Sequence, residues 1–184
     1  MTGTLFLVRH GEAKSEWGQE PDPGLSERGR LQATAVSDKL VSLLDTEVNI
    51  VSSPLLRARQ TAVPLAAALG VVVEIDNRFR EIEAPTALSE RQAWIKEFSK
   101  QTWDSQSGSL REWRLRAMER LLKFSGHTVI FTHFMILNVV VGYAAGRLET
   151  LCFLPDNGSI TQLQSDGETL RLISLGDELQ TVVN

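Results

Sequence analysis

Four short runs rich in Val, Ile and Leu punctuate the sequence at Leu5 to Val8, Val48 to Ser52, Val71 to Ile75 and Thr128 to Thr132, each bounded by turn or polar residues. Their length and β-branched content read as strands. A helical stretch lies between the first two, with Ser26 as N-cap and apolar positions at Val36, Leu40, Leu43 and Leu44. A second, from about Leu55 to Leu69, is closed by Gly70 and should be bent or interrupted at Pro64. Parallel strands need crossover connections, so this alternation predicts an α/β fold, a three-layer sandwich with a mostly parallel sheet flanked by helices on both faces.

From Thr86 to Lys123 the pattern changes to two helical segments carrying Trp94, Phe98, Trp103 and Trp113, with a Ser/Gly break around Ser105 to Ser109. This reads as a helical insertion (86–123) in which most of the aromatics pack the helices on the body of the fold. Trp94 and Phe98, four residues apart, fit that reading. The tail reads as an antiparallel hairpin, Ser159 to Leu163 and Leu170 to Ile173, around Asp166-Gly167. It is expected to close the sheet without contributing chemistry.

At 184 residues and 42% hydrophobic, the chain can bury one substantial core, so residues 1–184 are expected to form one domain. The formal charge of −4, from 19 basic and 23 acidic residues, argues against a nucleic-acid partner but not against a small anionic substrate, which a few convergent arginines can hold. Cys152 is the one cysteine and cannot form an internal disulfide; it reads as a small buried apolar residue. No run approaches membrane-spanning length, and Leu5 to Val8 is too short for a signal segment. A soluble, cytoplasmic protein without a membrane partner is expected, as monomer or homodimer.

Ligands in such sheets bind at the carboxyl ends of the strands. That rule singles out Arg9 and His10 after the first run, Ser53 to Arg59 after the second, Glu81 some way after the third, and His133 after the fourth. Gly11 allows close backbone approach to a ligand, and a helix following this loop could aim its free N–H groups at an anion. A histidine or arginine after a strand is more often a solvated or ion-paired residue. Two strand ends presenting arginines to one crevice outweigh that default. His127, ahead of the fourth run, is expected to face solvent. A dedicated zinc site has little to build on, since there is no His-Glu-x-x-His pattern. Lys14-Ser15 looks like the end of a Walker A loop, but Ala13 stands where its second glycine must be.

Taken together, four ordered motifs resemble the histidine phosphatase superfamily, also called the phosphoglycerate mutase-like family. Leu7-Val8-Arg9-His10-Gly11-Glu12 looks like its opening signature, followed by a similar segment from Gly24 to Ala33. Ser52 to Ala62 looks like its second arginine motif, Phe79-Arg80-Glu81 like its acid motif, and Phe131-Thr132-His133 like its second histidine motif. The resemblance implies attack on phosphorus by a neutral His10, with Arg9, Arg57 and His133 holding the phosphoryl oxygens and Glu81 protonating the leaving alkoxide. No cofactor or metal is then needed. Glu83 is the alternative acid; Glu81 is preferred because it directly follows Phe79-Arg80. Arg59 is expected to support the loop of Arg57 or to pair at the surface.

Departures from the family pattern bear on the substrate. Ala13 and Glu16 stand where threonine and asparagine are common, and Phe134-Met135 replaces a glycine pair, which makes that wall bulkier and more apolar. The acid motif continues as Ile82-Glu83-Ala84-Pro85, without the Gly-and-Trp segment typical of mutases. The leading expectation is a phosphatase acting on a small phosphorylated substrate. The alternatives are a protein phosphohistidine phosphatase and a non-catalytic module that binds a phospho-ligand, with a mutase ranking lower. Trp17 and the insertion are the places where specificity would lie.

Overall fold

The computed structural model describes residues 3–15, 19–44 and 47–179. Glu16 and Trp17 lie outside them. Among the described residues, six strands form one sheet: β1 (Gly3–Arg9), β2 (Val48–Ser52), β3 (Val73–Ile75), β4 (Gly126–Thr132), β5 (Ile160–Ser165) and β6 (Leu170–Ser174). Their order is β3-β2-β4-β1-β5-β6. The first four run parallel, and β5 and β6 pair antiparallel as the expected hairpin along the β1 side. Five helices accompany them: α1 (Glu27–Leu43), α2 (Leu56–Leu69), α3 (Arg91–Phe98), α4 (Gly108–Leu122) and α5 (Phe134–Ala144).

Side chains alternate across a strand, and in β1 both faces are buried. Phe6 and Val8, with Ile50, Val129 and Phe131, pack on Val36 and Leu40 of α1 and Ala58, Ala62 and Leu65 of α2. Leu5 and Leu7, with Val51 and Ile130, pack on the other side against Met118 and Leu121 of α4 and much of α5. The three layers expected from the sequence follow from this alternation. A strand covered on both sides must be apolar throughout, as Leu5 to Val8 is.

Several boundaries differ from the sequence reading. α2 runs through Pro64 as one helix from Leu56 to Leu69. Proline removes one intrahelical donor, and in this helix the surrounding packing outweighs that loss. β3 begins at Val73, leaving Val72 88% exposed. α1 ends at Leu43, whose side chain is exposed rather than apolar-facing. The break between α3 and α4 falls at residues 99–107, earlier than the Ser105-to-Ser109 cluster suggests, because a 3-10 turn at Trp103–Ser105 buries Trp103 there. Trp103 stacks on Trp113 and meets Phe98 edge-on, while Trp94 stacks on Phe98 at 4.8 Å. α4 contributes directly to the main core, so this segment is also the crossover that returns the chain from β3 to β4.

α5 has no counterpart in the sequence reading. Its sequence, Phe134 to Ala144, is apolar on nearly every face and lacks the polar stripe of a surface helix. Asn138, fully buried within it, accepts from the amides of Cys152 and Phe153 at 2.7 and 3.0 Å and so ties the following loop to the helix. His127 is half-buried rather than solvent-facing, with Nδ1 shielded from water.

Candidate active site

Strand register brings the candidate residues together. Arg9 of β1 lies opposite Thr132 of β4, and Ser52 of β2 opposite Phe131. The residues one step further on are therefore adjacent: the amide of His10 donates to the carbonyl of Thr132 at 3.0 Å, and that of Ser53 to Phe131 at 2.9 Å. His10 and His133 end up with ring centroids 5.1 Å apart. These strand ends form the floor of a cavity of about 770 Å³ whose wall includes Arg9, His10, Arg57, Glu81, Arg91 and Phe134.

The two nitrogens of His10 have different partners. Nδ1 lies 2.7 Å from the carbonyl oxygen of Gly11, which can only accept, so Nδ1 carries the proton. Nε2 then presents its lone pair, and it accepts from Nε of Arg57 at 3.0 Å. The ring is 7% exposed. Burial first, then the charges of Arg57 and Arg9, push its pKa well below the ordinary imidazole value. His10 is therefore a neutral ring with a defined tautomer.

Arg57 lies in the first turn of α2 and is 5% exposed. Its backbone carbonyl accepts from the Thr61 hydroxyl at 2.7 Å, and the hydroxyl oxygen of Thr61 in turn accepts from the Gly11 amide at 3.0 Å. One threonine thus couples the two arginine motifs. The only carboxylate paired with Arg57 among the described residues is that of Asp22, at 3.9 Å and half exposed. Arg9 donates from Nη1 to the Pro155 carbonyl at 2.7 Å and lies over the Phe134 ring at 5.2 Å. Its Nε is buried without a partner. A buried donor left open beside a neutral histidine fits an anion that the cavity can admit.

The structure separates the two candidate acids. Glu83 is exposed and pairs with Nε of Arg80 at 3.2 Å. Both acids line the cavity, but Glu81 is half-buried, and its Oε1 accepts from the amides of Ile82 at 3.0 Å and Met135 at 3.2 Å. The second of these amides belongs to the first turn of α5, so the first turn of this helix, and not that of α1, faces the acid. The first turn of α1 is closed by its own cap, the Ser26 hydroxyl accepting from Gly29 at 3.0 Å. Burial raises the Glu81 pKa, and the charge of Arg57 and the two amides counter it only in part. The segment carrying Glu81 is held on both sides: Thr132 donates to the Phe79 carbonyl at 2.9 Å, and Trp113 Nε1 to the Arg80 carbonyl at 3.1 Å.

Two of the candidates sit differently from the expectation. Gly11 does not present its amide to the cavity, since Thr61 takes it. A Cβ at this position would stand 2.4 Å from the Gly29 carbonyl oxygen, so the glycine is required by close packing on α1. His133 is fully buried, with Nε2 2.7 Å from the Ser53 hydroxyl and Nδ1 unpartnered, and it stands behind His10 instead of lining the cavity. Arg59 is exposed. Beyond the sequence-based candidates, the loop leading into β5 contributes Asn157, whose Nδ2 donates to the His10 carbonyl at 3.0 Å and whose side chain reaches the cavity. Pro-Asp-Asn-Gly directly ahead of a strand was its one visible signal.

With this geometry, the chain matches the family model of the histidine phosphatase superfamily (branch 1) over residues 5–178, and it belongs to that superfamily. A glucosyl-3-phosphoglycerate phosphatase of Mycobacterium tuberculosis is 41% identical over 81 residues, covering 42% of this chain and 35% of that protein. A probable phosphoglycerate mutase GpmB of Salmonella paratyphi C is 36% identical over 85 residues, covering 43% of this chain and 38% of that one. The chain thus spans little more than a third of the length of these curated relatives. Over the whole fold, a mycobacterial glucosyl-3-phosphoglycerate phosphatase in complex with inorganic phosphate superposes with a TM-score of 0.74 at 25% identity, covering 96% of this chain and 98% of that one. Its native form gives 0.73 at 26% identity, covering 97% and 100%.

Proposed function

We propose that this protein is a phosphatase that hydrolyses a small phosphomonoester through a phosphohistidine on His10. The observation that carries the reading is the His10 ring itself: neutral, fixed through Nδ1 to Gly11, and offering Nε2 to the cavity beside the buried Arg57 and the half-buried Arg9.

In the first step the Nε2 lone pair forms a bond to phosphorus while the bond from phosphorus to the ester oxygen breaks. The carboxyl of Glu81 gives its proton to the departing alkoxide, and its raised pKa favours the protonated form this requires. Arg9 and Arg57 neutralise the equatorial oxygens, which is where phosphoryl transfer places its charge. In the second step the Glu81 carboxylate takes a proton from water, the hydroxide oxygen bonds to phosphorus, and the N–P bond breaks to return His10 and release phosphate. Arg57 must turn from Nε2 towards the phosphoryl oxygens as substrate enters. His133 supports the site by placing a second buried, neutral ring against His10. No step calls on a metal or cofactor. Hydrolysis is favoured over mutase transfer because the acid motif runs on without the mutase-type segment.

Phosphate release from a panel of phosphomonoesters, measured in the presence of EDTA, tests the reading. Release by the wild type that survives the chelator and disappears in His10→Ala is the expected result. Undiminished release by His10→Ala would end it.

A further inference from the structure

Arg9 and Arg120 each lie over an aromatic ring, but their donor edges are held differently. Arg120 stands over the Phe124 ring at 4.1 Å, and two carboxylates fill its edge, Asp76 at 3.0 Å and Glu74 at 2.7 Å. Arg9 pairs with no carboxylate among the described residues. Its Nη1 donates to the Pro155 carbonyl at 2.7 Å, and its Nε is buried without a partner. The other contact on the guanidinium is the Phe134 ring, whose centroid lies 5.2 Å from its central carbon. A carboxylate would fix this cation, but it would also occupy the N–H groups and cancel the charge that a phosphoryl oxygen needs. An aromatic face attracts the cation from above its plane, through the ring quadrupole, and leaves the in-plane donors open.

The ring is itself anchored. Phe134 is the first residue of α5, half-buried, with its side chain at the cavity wall. Its carbonyl accepts from Nδ2 of the fully buried Asn138 at 3.0 Å, and Oδ1 of the same side chain accepts from the amides of Cys152 and Phe153. The loop so tied leads directly to Pro155, so Asn138 secures both contacts of Arg9, the ring and the carbonyl. A glycine, common at position 134 in the family, could supply no ring. We infer that Phe134 is a positioning residue for Arg9: its ring holds the guanidinium in place and shields it from water while leaving its N–H groups to the phosphoryl oxygens. The inference rests on the phosphatase reading and deepens it by assigning how one of the two anion-binding arginines is held.

Inorganic phosphate titrated calorimetrically against the full chain reads the arginine without turnover, and kcat/KM on a panel of phosphomonoesters is followed beside it. Phe134→Leu and Phe134→Met keep an apolar side chain in the helix but remove the aromatic face. Each should weaken phosphate binding by about fivefold to thirtyfold, the range of a cation–ring contact shielded from solvent. Phe134→Tyr keeps the face and should retain most of the affinity. Arg9→Ala weakens binding by itself, and adding Phe134→Leu to it should cost no more than about twofold further, because the ring then has no cation to act on. This pattern in phosphate affinity, from a protein that turns over none of the esters, supports the role of the ring and sinks the phosphatase reading alone. Equal losses from Phe134→Leu with and without Arg9, a Phe134→Tyr variant as weak as Phe134→Leu, or a wild type that binds no phosphate overturns the inference.

Discussion

Replacing Arg57 by alanine separates the electrostatic account of this site from a purely structural one. The side chain is 6% exposed, donates to His10 Nε2 at 3.0 Å and has one distant carboxylate partner among the described residues. Loss of one preorganised donor to a developing oxyanion costs about 3 kcal/mol, so kcat should fall by roughly a hundredfold or more. The pH profile gives a sharper readout. Arg57 holds the pKa of His10 down, after burial, and holds that of Glu81 down against the upward effect of burial. Activity needs His10 neutral, above its pKa, and Glu81 protonated, below its own. Removing the charge therefore raises both values, and both limbs of the kcat/KM profile should move to higher pH. Comparing wild type and variant on the same ester cancels the substrate's own titration. Thermal stability should not fall with activity, since the substitution removes a buried cation with little compensation. A loss of less than threefold, or an acid limb that stays in place or moves down, would refute this assignment of Arg57.

Other perturbations give equally direct outcomes. Glu81→Gln should slow hydrolysis of alkyl phosphates by a factor of about 10² to 10⁴, the range of general acid catalysis, yet spare much of the rate with 4-nitrophenyl phosphate, whose leaving group needs no proton; parallel kinetics on both substrates would check it. Gly11→Ala forces a Cβ to 2.4 Å from the Gly29 carbonyl, and urea unfolding should show a loss of roughly 1–3 kcal/mol or more. Asp76 sits below the acid segment, where burial opposes its ionisation but hydrogen bonds from Arg78 and Arg120 outweigh this and lower its pKa. A depressed carboxyl stabilises the fold above its unfolded value of about 3.9 and loses that contribution as pH falls through the lower folded value. Asp76→Asn should accordingly lower stability at pH 7 and flatten its decline under acid, as followed by urea midpoints across pH.

Strand ends were the most legible part of this site. Arg9, His10, Arg57 and Glu81 all reach one cavity because each follows a strand-like run and the parallel register aligns those ends. Residues whose placement depends on partners from elsewhere in the chain were harder to read. Gly11 looks like a ligand-approach glycine in sequence, and only the three-dimensional neighbour Gly29 reveals the packing demand. His133 follows its strand as expected, but the Ser53 hydroxyl and complete burial keep it behind His10. α5 escaped notice because uniform apolarity erases the periodicity by which a helix is recognised. Asn157 and Arg91 belong to no strand end. What brings them to the cavity is tertiary packing: the loop before β5 runs beside β1, and α3 lies along the rim.

The account turns on which atom carries the phosphoryl group. Rapid quenching of the protein during turnover into alkali, which preserves phosphohistidine, followed by NMR of the denatured chain, reads this directly. Phosphorus bonded to Nε2 of His10 is the predicted result, because Nδ1 is committed to the Gly11 carbonyl. Phosphorus on Nδ1, on another residue, or on no residue of a protein that is turning over would contradict the mechanism.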